Sequence, residues 1–373
     1  MRIRVLSVFG TRPEAIKMAP VVLELQRRPQ FEAIVCVTAQ HREMLDQIMR
    51  SFGLKADFDL NVMQEAQLPT DVASRVLAEL PAVLRRVRPD IMLVQGDTTT
   101  TCAAALAAFM GRVPVGHVEA GLRTGDLDQP FPEEMNRRVT TVVSTLHFAP
   151  TQAAALALRS EGVREGRVIL TGNTVIDALL QSVRKDYVFD DPRLRQLPPD
   201  KKILLVTTHR RESIGEPMRH VCQAILRLKQ AHPELLVVIP THRNPAVREI
   251  VVGTLADQPG IVLVDPLPYL DFVHLMARSH IILTDSGGVQ EEAPSLRRPV
   301  LVIREVTERP EGVAAGLAKL LGTDPEKIFS AVHALLTEAT VYRAMTSGVN
   351  PYGDGHASER IADAILAWHS GRK

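Results

Sequence analysis

The 373-residue chain is poor in cysteine, with only Cys36, Cys102 and Cys222. They are odd in number, far apart and never arranged as CxxC, which excludes a disulfide framework and a zinc ribbon and fits a reducing cytosol. Charge of one sign is also missing. Forty-four Lys and Arg against 43 Asp and Glu leave a formal charge of +1, so no basic field exists to draw in nucleic acid or an anionic membrane, and any anion must be bound locally. Long apolar runs are absent from the start of the chain. "MRIRVLSVFGTRPEA" is broken by Arg12 and Glu14, too soon for a signal peptide or a membrane span, and reads as a first strand. No G-x-G-x-x-G or Walker A pattern follows that strand, which removes support for NAD and ATP. His117 and Glu119 form H-x-E without a P-C-x-x-C partner, so a zinc deaminase is not supported and no metal is expected.

What is present is a rhythm. Short runs such as "IRVLSVF", "AIVCVT", "DIMLVQGD" and "VPVGHVEAG", then "ILLVTTH", "LLVVIPTH", "IVLVDP", "IILTDSGG" and "PVLVI", alternate with helical stretches and predict an α/β protein with parallel sheets. The segment Asp186 to Lys202, rich in charge and proline, separates two similar halves and predicts two Rossmann-like domains facing a central cleft. The expected division is 1–171 and 172–356, with a final helix over 357–373 spaced by Ile361, Ile365 and Trp368.

Ligands of such sheets bind beyond the strands' carboxyl ends, and the polar residues gather there. "FGTRPEAIKMAP" places Arg12 and Lys17 after the first strand, as anion ligands or as surface charges of a solvated helix. Asp97 in "QGDTTTT" either caps the next helix or serves the cleft. Glu119 in "GHVEAGLRTGD" caps poorly and favours function, while Glu133 and Glu134 open a helix with Arg137 one turn on. Carboxylates gathered on strand-end loops of one domain repel one another and are costly without a use; proton removal and delivery at a sugar carbon would be one. In the second half, His209, Arg210, His242 and Arg243 follow strands, either as ligand contacts or as structural groups. "TDSGGVQEEAPS" offers Ser286, Gly287 and Gly288 to a diphosphate and Glu292 to ribose hydroxyls, with Arg309 able to pair with the same phosphates. A plain N-cap at Ser286 is the alternative.

Together these motifs, with "TAQHREMLDQ", "PEEMNRR", "TGNTVIDALL", "THRRES", "TERPEG" and "NPYGDG", resemble the non-hydrolysing UDP-N-acetylglucosamine 2-epimerases in order over nearly the whole chain. The resemblance implies a glycosyltransferase-B type fold, a cytoplasmic homodimer and an isomerase that interconverts UDP-GlcNAc and UDP-ManNAc with no added cofactor, supplying ManNAc for a bacterial surface glycan. It implies that UDP leaves as the proton on carbon 2 is removed, that 2-acetamidoglucal forms, and that re-addition inverts carbon 2. Asp97, Glu119, Glu133 and His209 then match catalytic positions. Arg12, Lys17, Arg137, Phe272, Ser286, Gly287, Gly288, Glu292 and Arg309 match substrate-binding ones. Gln40, His41, Glu134, Arg210 and His242 match a second, activating UDP-GlcNAc site, from whose pattern Glu43 and Ala66 depart. The competing expectations are a hydrolysing relative that releases ManNAc and UDP, a transferase on the same fold, and a sensor that binds without chemistry.

Overall fold

The computed structural model describes residues 2–39, 42–64, 67–208 and 214–372. Gln40, His41, His209 and Arg210 lie outside the described residues. Runs rich in Val, Ile and Leu form strands buried on both faces, as parallel sheets covered by helices require. One sheet holds β1 (Ile3–Phe9), β2 (Phe31–Val37), β3 (Phe58–Asp59), β4 (Ile91–Gln95), β5 (Val115–Val118), β6 (Leu146–Ala149) and β7 (Val168–Leu170) in the order β3-β2-β1-β4-β5-β6-β7. The other holds β8 (Ile203–Thr207), β9 (Leu236–Pro240), β10 (Ile261–Val264), β11 (Ile281–Thr284), β12 (Val300–Val302) and β13 (Ala318–Leu320) in the order β10-β9-β8-β11-β12-β13. The pairings are parallel; in the first sheet Val5 stands opposite Ala33 on one side and Ile91 on the other. In the second, Ile282 stands between Leu205 and Val300. Each sheet reverses its strand order once, between β1 and β4 and between β8 and β11. A parallel sheet gathers its ligands at such a reversal, where the loops leaving the two strands diverge and open a crevice.

The chain divides into two compact units, Met1–Gln181 with Gly353–Lys373, and Ser182–Tyr352. In the first, Leu6, Val8, Met92 and Val94 pack against Val76 and Leu80 of the helix Pro69–Val87 and against Ala104 and Ala108 of Thr99–Met110. The alanines let that second helix lie close to the sheet. In the second unit Leu204, Val206, Val237 and Leu283 pack against Ile225 and Leu228 of the helix Glu216–Ala231 and Val332 of Pro325–Thr337.

The final helix, Ala357–Ser370, buries Ile361, Ala362 and Ile365 and packs on the helix Arg12–Arg27. Its start is held by Asp177, whose carboxylate accepts from the Ser358 amide at 2.7 Å, the Ser358 hydroxyl at 2.6 Å and the Ala357 amide at 3.2 Å. Burial pushes the Asp177 pKa up against these bonds. This tie keeps the helix Thr174–Ser182 with the first unit, so the division at 181–182 lies ten residues beyond the expected 171–172. No helix among the described residues is long and apolar enough to cross a membrane.

Candidate active site

At the reversal point of the first sheet, β4 and β5 end in left-handed turns. Gly96 has φ +72° and Glu119 has φ +64°. A side chain with a Cβ disfavours that region by about 1–2 kcal/mol, so the surroundings of Glu119 must hold it there. They do. Lys17 Nζ donates to both carboxylate oxygens at 2.6 Å, Asn173 Nδ2 donates to Oε1 at 3.0 Å, and the Gln95 side-chain amide donates to Oε2. The Lys17 side chain is 19% exposed and that of Glu119 5%. In so dry a pair, removing either partner leaves a buried charge.

Asp97 follows the same turn. Its Oδ2 accepts from Arg137 Nε at 2.9 Å and Nη2 at 2.7 Å, and its backbone carbonyl accepts from Asn136 Nδ2 at 2.9 Å. Asp97 is not the helix cap. Thr98 takes that place, its hydroxyl accepting from the Thr101 amide at 3.1 Å, which leaves the Asp97 carboxylate for Arg137. Glu133, the first residue of the helix Glu133–Val143, is half-buried, and its Oε2 is buried with no hydrogen-bond partner. Glu133 makes no i,i+4 pair with Arg137. Glu134 takes that guanidinium instead, from Nη1 at 3.3 Å, and also accepts from Arg138 Nε at 3.1 Å and the Thr124 amide at 3.2 Å. Burial works to raise the pKa of Glu134, but the Thr124 amide and the two guanidiniums outweigh it and hold the carboxyl below its usual range.

Two further groups complete this cluster. His117 is buried, and its Nε2 meets the Gly96 carbonyl at 2.7 Å. Burial pushes its pKa down to about 4, so it is a neutral brace for the turn and not a general acid. Glu14 was not singled out from the sequence. It accepts from the Gly10 amide at 3.0 Å, the Thr11 amide at 2.7 Å, and the hydroxyls of Thr98 and Thr101 at 2.7 and 3.1 Å. It therefore joins the loops leaving β1 and β4, which carry Arg12 and Asp97. A T-x-x-E capping box, Thr11 to Glu14, was the available signal. Gln95 and Asn173 carried no comparable signal, because their roles depend on contacts 24 and 54 residues away.

In the second unit, the reversal point lies between β8 and β11. Ser286 stands at the N-cap of the helix Gly287–Glu292 without a side-chain cap bond, so its hydroxyl is not used to close the helix. A Cβ on Gly288 would come within 3.4 Å of Glu292 Oε1, so the glycine keeps the backbone open beside that carboxylate. Behind this turn the polar groups are engaged with each other. Arg309 Nε donates to the buried Glu291, Thr307 Oγ1 donates to Gln290 Oε1 at 2.6 Å, and Asn350 Nδ2 donates to the Glu291 carbonyl at 2.9 Å. Tyr352 closes the arrangement, its hydroxyl accepting from the Gly312 amide at 2.9 Å and donating to the Arg309 carbonyl at 3.0 Å. Phe272 is half-buried on the helix Tyr269–Arg278, and His242 is exposed, its Nδ1 accepting from the Asn244 amide at 3.1 Å.

The structure thus brings Lys17, Asp97, Glu119, Glu133, Glu134 and Arg137 together in one unit, with Arg12 opening the helix beside them. It brings Ser286, Gly287, Gly288, Glu292 and Arg309 together in the other. The family model described as UDP-N-acetylglucosamine 2-epimerase matches residues 23–366. The UDP-N-acetylglucosamine 2-epimerase of Bacillus subtilis is 51% identical over 372 residues, which cover 100% of this chain and 97% of that one. The crystal structure of UDP-GlcNAc 2-epimerase from Neisseria meningitidis bound to UDP-GlcNAc superposes with a TM-score of 0.87 at 48% identity, over 98% of this chain and 100% of that one. The glycotransferase of kitacinnamycin, 13% identical, superposes with a TM-score of 0.67 over 99% of each chain and shares the fold alone. That fold is the glycosyltransferase-B type.

Proposed function

Because the chain belongs to the UDP-N-acetylglucosamine 2-epimerase family and is an isomerase, we propose that it interconverts UDP-GlcNAc and UDP-ManNAc by a non-hydrolysing route. The relative from Neisseria meningitidis binds UDP-GlcNAc, which supports this substrate. The observation that carries the reading is Glu119, a carboxylate kept in a left-handed backbone conformation and shut in with Lys17, Gln95 and Asn173. Strain and burial of that kind gather at functional sites.

Carbon 2 of the sugar has no neighbouring carbonyl, and its proton is barely acidic until positive charge grows at the anomeric carbon. In the proposed reaction the anomeric C–O bond breaks, its electron pair leaves with UDP, and a carboxylate takes the proton from carbon 2. The C–H electrons become the C1–C2 double bond of 2-acetamidoglucal. UDP then returns to carbon 1 while a second acid delivers a proton to the other face of carbon 2. Two faces need more than one carboxyl, and Asp97, Glu119 and Glu133 are the three. Arg137 orients Asp97, Lys17 orients Glu119, and the unpartnered Oε2 of Glu133 is an acceptor awaiting a donor. His209 stabilises or protonates the departing diphosphate. In the second unit the Ser286–Gly288 turn binds phosphate, Glu292 accepts from ribose, Phe272 lies against the nucleotide, and Arg309 steadies the turn through Glu291.

The activating site implied by the resemblance would draw on Gln40, His41, Arg210 and His242. Glu134 enters it indirectly, because its buried carboxylate is already held by Arg137, Arg138 and Thr124. A cytoplasmic homodimer that feeds surface-glycan synthesis completes the reading.

Proton NMR of the protein with UDP-GlcNAc in deuterium oxide tests it. UDP-ManNAc carrying deuterium at carbon 2 is expected. Free ManNAc with UDP would replace this reading by a hydrolysing one, and an unchanged substrate at high concentration would leave a binding protein without chemistry.

A further inference from the structure

A second cluster of charge lies at the amino-terminal ends of β6 and β7, opposite the strand ends described above. Here the helix Glu133–Val143 and the segment 161–167 line an open cavity of about 430 Å³, with Arg138, the exposed Arg164 and Arg167, His147 and Glu161 on its wall. Glu161 is its one lining carboxylate, and Arg123 neutralises it with bonds of 2.7 and 2.8 Å to its two oxygens. Arg159 takes the adjacent Glu165, and among the described residues neither Arg164 nor Arg167 has a carboxylate partner. His147 is buried, and its Nδ1 makes no hydrogen bond. Its pKa is depressed to about 3 by burial, with His117, Arg123 and Arg167 adding to the effect, so the ring stays neutral and the charge at the cavity is that of the guanidiniums. Like charges gathered around one cavity repel each other, and an anion between them relieves that repulsion.

We propose that this cavity binds a dianionic phosphate group, held between Arg138, Arg164 and Arg167. Guanidiniums suit the task because each can offer two parallel N–H donors to phosphate oxygens. The position also has a consequence for the chemistry. Arg138 is shared with Glu134, Glu134 holds Arg137, and Arg137 holds Asp97. Phosphate in the cavity competes with Glu134 for Arg138 and so alters the grip on Asp97. This coupling rests on the proposed epimerase reaction; the binding itself does not.

The test is phosphorus NMR titration of the full chain with inorganic phosphate and, separately, glucose 6-phosphate, at constant ionic strength with UDP in excess to occupy any nucleotide site. Saturable binding is expected for the wild type, and it should weaken roughly tenfold or more in Arg164→Ala/Arg167→Ala, with circular dichroism and UDP binding unchanged. Preference for glucose 6-phosphate would assign a phosphate ester as the natural ligand, and equal binding would assign free phosphate; either supports the site. No saturable binding up to about 10 mM, the weak end of specific affinity, or equal binding by the double variant, would overturn it. In the deuterium-exchange assay, phosphate should change wild-type turnover and leave the double variant unaffected. Binding without that change would overturn the coupling alone.

Discussion

The two units repeat one plan, a parallel sheet whose strand order reverses once, yet their strand ends carry opposite equipment. At the reversal of the first unit carboxylates gather and each leans on a cation, Glu119 on Lys17 and Asp97 on Arg137. At the reversal of the second, a glycine turn with an uncommitted Ser286 hydroxyl comes forward, and the buried carboxylate Glu291 stands behind it on Arg309. The backbone topology fixes where a ligand can bind. On the proposed reading, the residue types at the strand ends set proton transfer in the first unit and phosphate binding in the second.

The sharpest break in that contrast comes from neutralising the first unit's acids. Asp97→Asn, Glu119→Gln and Glu133→Gln should each lower turnover roughly a hundred- to ten-thousandfold while UDP binding by the second unit persists, as calorimetry with UDP would show. Near-normal deuterium incorporation in any of them would remove that residue from the chemistry.

Acid should also separate the units. His117 and His147 stand opposite each other on β5 and β6, with pKa values depressed to about 4 and about 3. Each stays neutral when folded and protonates near 6.5 when unfolded, so its contribution is intact above 6.5 and is lost as the pH falls toward its folded value. By pH 5 the loss is about 2 kcal/mol for each. Glu14 and Asp177, raised by burial, run the other way: the stability they add is present in acid and lost as the pH rises through their folded values. Among the described residues the second unit has one comparable histidine, His280, lowered to about 4 by burial. Between pH 6.5 and 5 the first unit should therefore lose more stability. Trp368, the only tryptophan, sits in that unit and reports it by fluorescence during urea unfolding; an unchanged midpoint across this range would show that the histidines are not buried neutral.

A pair of glycines sharpens the comparison further. Gly121, two residues after Glu119, has φ +97°, and a Cβ there would meet the Ala154 carbonyl oxygen at 2.3 Å. Gly121→Ala should cost the first unit about 1–3 kcal/mol or more, visible as an earlier Trp368 transition. In Gly288→Ala the new methyl meets only Glu292 Oε1 at 3.4 Å. Its stability should hold within about 0.5 kcal/mol and the loss should appear in UDP affinity. A Gly288→Ala variant that binds UDP normally would remove the turn from the nucleotide site.

The strands and their parallel pairing were legible because runs such as Ile3–Phe9 and Ile281–Thr284 are buried on both faces and mostly apolar. β3 (FD), β6 (LHFA), β7 (VIL) and β13 (AKL) did not stand out, because two to four residues with few β-branched side chains or with a charge among them make no strand pattern. The acids at the strand ends were visible as residue types, but their partners were not. Lys17 meets Glu119 across 102 residues and Arg137 meets Asp97 across 40, and no local period records such distances. The same holds for Arg309, whose partner Glu291 lies 18 residues away, and for Asp177, whose reach to Ser358 spans 181 residues and sets which unit the final helix joins.

The smallest expected effect tests how the second unit keeps its turn in place. Tyr352 bridges Gly312 and Arg309 with one hydroxyl, and burial raises its pKa far above that of a free phenol. Tyr352→Phe keeps the ring and deletes both bonds, at a cost of about 1–2 kcal/mol. If Arg309 steadies the phosphate turn through Glu291, UDP affinity should drop roughly three- to tenfold while the first unit, read by Trp368, unfolds as before. A loss of stability without any loss of UDP affinity would make this contact a brace for the fold alone. The difference between the units would then rest on the glycine turn and not on the arginine behind it.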